Sequence, residues 1–195
     1  MSSSHRAPAV VAAAVIALIA ASDAARAAAP ARWTVDMAAS RLGFRTAFAG
    51  QAVRGAFRRW DADIVFDPKD LARSKATVTV QLASAMTGDA SKDQALPTAD
   101  WFDAARFPRA TFATTAIKDI GAGRYQAAGT LSLRGVSRAV VLPFTLTITG
   151  DQAKMTGSTV VNRSAFGVGQ GQFKGADTVP YDVVIEVALT AHRAK

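Results

Sequence analysis

The stretch VVLPFTLTI, residues 140–148, decides the fold class. Its bulky apolar side chains occupy every second position: Val140, Leu142, Phe144, Leu146 and Ile148. A spacing of two is the period of a β-strand, whereas a helix repeats every 3.6 residues. The stretch therefore predicts a strand with one apolar face and one polar face.

The same alternation continues outward in both directions, at residues 42–48, 64–66, 78–82, 125–133 and 181–189. Turn-forming residues separate these segments: Asp67-Pro68, Gly121-Ala122-Gly123, Gly150-Asp151 and the glycine-rich stretch 167–175. Many short strands without alternating helices are typical of antiparallel sheets. We predict an all-β fold, an extended antiparallel barrel of about eight strands.

Residues 91–105 (SKDQALPTADWFDAA) break the strand pattern. Their composition is helical, although Pro97 interrupts it. We expect Thr98 to cap a short helix that carries Trp101 and Phe102, because threonine is a good N-cap residue. This helical insertion would cover one end of the barrel.

The first 27 residues resemble a secretory signal peptide. A basic start with Arg6 precedes the uncharged run 7–21, and Ala25-Arg26-Ala27 offers an A-x-A cleavage site. The run is shorter than the ~20 apolar residues that span a membrane. We expect cleavage after Ala27, which leaves residues 28–195 as a single domain in the periplasm.

The composition narrows the function classes. The chain contains no cysteine, so it holds neither a disulfide nor a catalytic thiol. After cleavage it would carry 21 basic and 14 acidic residues, a net charge of +7. That surplus favours solubility and contact with anionic lipid surfaces. Export, and the lack of zinc-finger, RNP or helix-turn-helix patterns, argue against a nucleic-acid partner.

Few residues could carry catalysis. His192 is the only histidine after residue 27 and stands three residues from the C-terminus, so a Ser–His–Asp site and a histidine-rich metal site are not expected. Asp89, Asp93 and Asp100 could form a carboxylate pair for an envelope hydrolase if they met in a cleft. Their positions fit structural roles better, and we expect that the protein is not an enzyme.

Two further patterns are open to functional or structural interpretation. The glycines of residues 167–175 superficially suggest a phosphate cradle, but no helix follows them, so we expect a loop at the barrel rim. A second set of residues either meets an anionic head group or is simply solvated: Arg54, Arg58, Arg59, Arg134 and Arg138.

Five blocks of sequence, which span nearly all of residues 32–192, resemble the YceI-like family of exported lipid-binding proteins. They are Trp33–Asp36 with Ser40 and Phe44, Val53–Phe57 with Ile64–Asp67, Leu96–Asp103 with Phe107–Phe112, Gly129–Ser137, and Arg163–Val168. The chain looks similar to the branch of the family that is associated with membrane b-type cytochromes. One departure is that residues 47–52 lack the histidine found there in many members.

The resemblance implies a lipocalin-like barrel that encloses an isoprenoid lipid, such as a quinone or a polyprenyl phosphate, with no covalent cofactor. It also implies a membrane surface or a b-type cytochrome as a partner. Whether the protein is a monomer or a homodimer stays open.

A closed apolar tunnel would be needed, because each CH₂ group removed from water contributes ~0.8 kcal/mol. We predict that ten residues line it: Phe44, Phe48, Phe57, Phe66, Val80, Leu82, Leu131, Leu133, Phe144 and Phe166. The alternatives are a structural or stress-adaptor barrel with a solid interior, and the carboxylate-dependent hydrolase described above.

Overall fold

The computed structural model describes residues 29–195, so the predicted signal peptide lies outside the described residues. The strands are β1 Arg32–Val35, β2 Arg41–Phe48, β3 Gln51–Phe57, β4 Trp60–Val65, β5 Lys75–Gln81, β6 Ala85–Met86, β7 Arg109–Gly121, β8 Arg124–Leu133, β9 Val136–Thr149, β10 Gln152–Asn162 and β11 Asp182–Arg193. The helix α1 is Ala90–Ala95, and 3-10 turns cover Leu82–Ser84, Arg163–Phe166 and Gly171–Phe173.

The strands form one closed antiparallel barrel. The order β1-β4-β5-β7-β8-β9-β10-β11 closes where β1 pairs with the end of β11, with Trp33 opposite Arg193. The first half of β11 pairs with β2 instead, with Phe44 opposite Ile185, and β3 and β6 follow outward from β2. Each of the pairs β1/β2, β3/β4 and β5/β6 thus acts as one bent strand of the barrel, and β7 to β11 complete it. The predicted antiparallel barrel of about eight strands is confirmed.

Serine side chains support two of these bends. The Ser40 hydroxyl donates to the carbonyl of Thr190 at 3.2 Å and accepts from its N–H at 3.0 Å. The Ser84 hydroxyl accepts from the N–H of Arg59 at 3.0 Å and donates to the carbonyl of Gln81 at 2.6 Å. A bent strand loses ladder hydrogen bonds, and these hydroxyls replace them.

The barrel has two distinct ends. The hairpin end carries the β7–β8 and β9–β10 turns and a buried cluster of Trp33, Phe66, Tyr125, Ala153 and Ala191. The Nε1–H of Trp33 donates to the carbonyl of Phe66 at 3.0 Å, and the rings of Phe66 and Tyr125 meet edge to face at 5.6 Å. The opposite end, the cap end, is covered by residues 87–108 and 163–181.

The insertion contains a helix, but not where we predicted it: α1 ends at Ala95, and the residues after Thr98, with Trp101 and Phe102, form turns. Asp89, not Thr98, is the N-cap of α1, and its carboxylate accepts from the N–H groups of Ser91 and Lys92 at 3.0 and 3.2 Å. Thr98 instead donates its hydroxyl to the carbonyl of Ala95 at 2.7 Å. Turns follow the helix because the proline ring after Leu96 cannot continue it.

A candidate ligand cavity inside the barrel

An apolar cavity of about 320 Å³ runs inside the barrel. It extends from Trp33 and Phe66 at the hairpin end to Leu96, Trp101 and Phe102 at the cap end. Forty residues line it, and thirty-four of them are apolar. Ligand pockets usually measure ~300–1,000 Å³, so this cavity is at the lower end of that range. An interior packed solid, as an adaptor barrel would have, is not what the structure shows.

Eight of the ten predicted lining residues lie on the cavity wall: Phe44, Phe57, Phe66, Val80, Leu82, Leu131, Leu133 and Phe144. Six of them lie in strands, where period-two alternation places them on one face, and the structure identifies that face as the interior. Phe66 directly follows β4, and Leu82 begins a 3-10 turn. Direct contact of these side chains with a ligand stays a prediction.

Phe48 and Phe166 are not on the cavity wall, and for these two residues the predicted position is wrong. Phe48 is the last residue of β2, so its ring lies at the rim, 6.3 Å from the ring of Phe173. Phe166 is buried in a separate cluster with Val161 and Val168. It stands in a 3-10 turn, where strand alternation no longer decides which way a side chain points.

Sequence reasoning missed several aromatic lining residues. Trp60 alternates with Ile64 and Phe66, and Phe112 alternates with Ala110, so the period of two could have found both. No such pattern identifies the other three, because one lies in the short strand β1 and two lie in the insertion: Trp33, Trp101 and Phe102.

Aromatic contacts join the barrel wall to the cap. The Phe57 ring lies 5.6 Å from that of Phe44 and 5.9 Å from that of Phe102, so it bridges β2 and the insertion. A Cβ atom on Gly55 would lie 2.2 Å from the Phe44 ring. Glycine at this position therefore lets Phe44 lie flat against β3, and the wall stays closely packed.

Arg163 organises the cap end from a buried position, with a relative exposure of 3%. Its guanidinium donates to four backbone carbonyls: Nε to Pro180 at 3.1 Å, Nη1 to Val168 at 2.8 Å, and Nη2 to Gly175 and Val179 at 2.6 and 2.7 Å. A single side chain thus fixes the glycine-rich segment as an anchored rim loop.

The environment of Arg163 is unusual for a cation. Its guanidinium carbon lies 5.9 Å from the ring centre of Trp101 and 5.4 Å from that of Tyr181, which gives two cation–π contacts. Burial lowers the pKa of Arg163, although arginine remains protonated in proteins. Its side chain also lines the cavity, so a positive charge lies next to the apolar interior.

Arg134 fixes the other cap segment. Its Nη1 donates to the carbonyls of Ala99 and Trp101 at 2.7 and 2.8 Å. These bonds hold the turn that presents Trp101 to the cavity. Arg134 therefore positions the cap. The sequence had left open whether this arginine meets a head group or is simply solvated, and the structure shows this third role.

Of the candidate carboxylates, Asp89 and Asp93 hold the start of the insertion, and none lines the cavity. A hydrogen bond from Lys92 is the main cause that lowers the pKa of Asp89, followed by one from Ser91. Asp93 accepts from the N–H and the hydroxyl of Thr87 at 2.5 and 2.8 Å, and these bonds lower its pKa. Neither of these two aspartates nor Asp100 lines the cavity.

The described part of the chain contains no group of three or more His, Cys, Asp and Glu side chains that could hold a metal ion. His192 is exposed on β11, opposite Thr34 on one side and Gln152 on the other. Over residues 29–195, no helix has the length and hydropathy to cross a membrane.

Fold and cavity together define a lipocalin-like barrel built to hold an apolar ligand. Residues 33–191 match the YceI-like domain, and the chain belongs to that family. The family consists of binding-type barrels and is not a known enzyme family. The resemblance found in the sequence is thereby confirmed.

Relatives and solved structures agree with this assignment. A UPF0312 protein of Pseudomonas syringae pv. tomato is 29% identical over 158 residues, which cover 78% of this chain and 79% of that protein. The crystal structure of Burkholderia cenocepacia BcnA is 33% identical, with a TM-score of 0.77, and the match covers 80% of this chain and 98% of that one.

A more distant structure shares the fold alone. It is a polyisoprenoid binding domain from Saccharophagus degradans that is implicated in plant cell wall breakdown. Its sequence is 14% identical, its TM-score is 0.67, and the match covers 84% of this chain and 99% of that one.

Proposed function

We propose that the protein is a periplasmic lipid carrier that sequesters or transports an isoprenoid lipid, of the quinone or polyprenyl phosphate type, inside the barrel. One observation carries the proposal: a continuous cavity whose wall is apolar at thirty-four of its forty residues. Such a wall favours hydrocarbon over polar ligands, because a buried polar group without a partner is costly.

The shape of the cavity supports a ligand with a single chain. Its 320 Å³ are lined by residues from strands all around the barrel, with aromatic rings toward both ends. A hydrocarbon tail gains ~0.8 kcal/mol for each CH₂ group removed from water, so an enclosed cavity holds it far better than a surface groove does. The similarity in fold to the polyisoprenoid binding domain of Saccharophagus degradans supports the same choice of ligand.

Location and partners belong to the same proposal. The signal-peptide pattern of residues 1–27 supports export to the periplasm. The outer face of β2 and β3 supports contact with an anionic membrane surface, since Arg54 is exposed there opposite Arg45, whose ion-pair partner is Glu186. A membrane b-type cytochrome is the protein partner that we propose, and the bound lipid is held without a covalent bond.

Native mass spectrometry tests the proposal. The full chain is expressed in an exporting bacterium, purified from the periplasm, and analysed intact and after lipid extraction. We expect a protein mass that begins at Ala28, with close to one equivalent of a quinone or polyprenyl species bound. A ligand-free mass, together with no uptake of added quinone or polyprenyl phosphate, would move the function to the barrel surface.

A further inference from the structure

The hydroxyl of Thr46 is a polar atom without a partner in an apolar interior. Within residues 29–195, its Oγ1 is the buried side-chain oxygen for which the structure provides no hydrogen bond. Thr46 itself lines the cavity. An unpaired buried hydroxyl destabilises the protein without its ligand, since the oxygen has given up water and gained nothing in return.

Two other threonines on the cavity wall, Thr114 and Thr159, behave differently. The hydroxyl of Thr114 accepts from the N–H of Ala76 at 2.9 Å. The hydroxyl of Thr159 donates to the carbonyl of Val141 at 2.9 Å. Both hydroxyls therefore already have partners, whereas the hydroxyl of Thr46 has none in the structure.

Thr46 lies near the cap end of β2, two strands across the sheet from the strand that leads to the buried cation Arg163. Arg45 on β2 lies opposite Val184 on β11, and the neighbouring Val183 lies opposite Val161 on β10. Thr46 is therefore two strands away from Val161. Arg163 follows two residues later, and its acceptors are backbone carbonyls with no carboxylate among them. Its positive charge favours an electron-rich atom at this end of the cavity.

We infer that the Thr46 hydroxyl donates a hydrogen bond to an oxygen of the ligand head group, a quinone carbonyl or a phosphate oxygen, so that the head lies beneath the cap. The tail then points toward the Trp33 cluster at the hairpin end. Protein atoms enclose Oγ1 in the ligand-free protein. To meet the ligand, the oxygen must leave this enclosed position by a turn of about 120° about χ1, the step between neighbouring staggered rotamers. The inference rests on the proposed function.

The test compares ligands with and without a head-group oxygen. Wild type, Thr46→Val, Thr46→Ser and Thr159→Val are titrated with an isoprenoid quinone, with a polyprenyl phosphate of matched tail length, and with squalene, which has no oxygen. Thr46→Val should weaken binding of the preferred oxygenated probe by roughly two- to tenfold, the effect of one hydrogen bond, and leave squalene unchanged.

The two control variants have defined outcomes. Thr46→Ser retains the hydroxyl and should restore the preference for the oxygenated probe. Thr159→Val removes a hydroxyl that already has a partner and should leave the ratio of the two affinities unchanged. The probe that loses affinity in Thr46→Val, quinone or phosphate, identifies the head group.

Failure of the inference is distinct from failure of the proposed function. If wild type binds both kinds of probe and Thr46→Val changes neither affinity, or lowers both equally, the role of Thr46 is refuted while the lipid carrier stands. If wild type binds neither quinone, polyprenyl phosphate nor squalene, the proposed function falls and this inference falls with it.

Discussion

Replacement of Arg163 by methionine tests how the cap is held over the cavity. The variant keeps an apolar chain of similar length and removes donors from the carbonyls of Pro180, Val168, Gly175 and Val179. A buried group left without a partner costs ~1–3 kcal/mol. The bonds to Val168 and Val179 are buried, whereas those to Pro180 and Gly175 are only partly buried. We therefore expect water to replace the second pair, so that two carbonyls stay unpaired and the protein loses about 3 kcal/mol of stability.

Urea unfolding, followed by tryptophan fluorescence, measures this loss. The midpoint should fall while the slope m stays the same, because the surface exposed on unfolding is unchanged. The melting temperature should fall by roughly 6–12 °C, at ~2–4 °C per kcal/mol for a domain of this size. Arg138→Met is the matched control, since Arg138 is exposed on β9, and it should change neither value.

The reasoning about Arg163 fails if Arg163→Met unfolds at the wild-type midpoint. That result would mean that the four carbonyls find other donors and that the cap does not depend on this cation. Arg163→Lys provides an intermediate case, because an ammonium group keeps the charge but lacks the planar fork of the guanidinium. We expect it to recover only part of the lost stability.

Three further changes have defined outcomes. Asp93→Asn should reduce the acid sensitivity of the protein. Hydrogen bonds from Thr87 lower the pKa of Asp93, so the stability that the ionised carboxylate contributes is complete above pH ~4 and is lost at lower pH. Urea midpoints at pH 6 and at pH 3 should therefore differ less in the variant than in wild type. Arg54→Glu should stabilise the barrel by ~0.2–1 kcal/mol at low salt, since it faces Arg45, and the gain should vanish in about 1 M salt. Phe102→Ala should lower the free energy of unfolding by about 2 kcal/mol and speed ligand release, as seen in unfolding curves and in dissociation rates.

Strand alternation predicted the barrel because an antiparallel strand with one buried face carries its pattern in the sequence. Residues 140–148 show this, with Val140, Leu142 and Phe144 on the cavity wall as the period requires. The pattern could not say which face is the interior. It also could not say how far along β2 the cavity extends, so Phe48 at the rim was misplaced, or how the 3-10 turn orients Phe166.

The cap was harder to predict because side chains hold it together more than backbone periodicity does. The start of the helix was misplaced because Asp89 caps α1 before Pro97, whereas the residues after Thr98 form turns and no helix. The role of Arg163 depends on carbonyls up to seventeen residues away in sequence, and no local pattern reveals them. The unpaired hydroxyl of Thr46 likewise becomes visible only when the neighbouring strands are in place.

The most direct test of the lipid cavity compares two identical substitutions on adjacent residues of β8. Ala127 is buried and lines the cavity, whereas Ala128 is its neighbour on the outer face. Wild type, Ala127→Phe and Ala128→Phe are incubated with an isoprenoid quinone and a polyprenyl phosphate, and native mass spectrometry measures the bound fraction. We predict that wild type and Ala128→Phe load equally and that Ala127→Phe, with its cavity partly filled, loads little or nothing. Equal loading of all three folded proteins would contradict a ligand site inside the barrel.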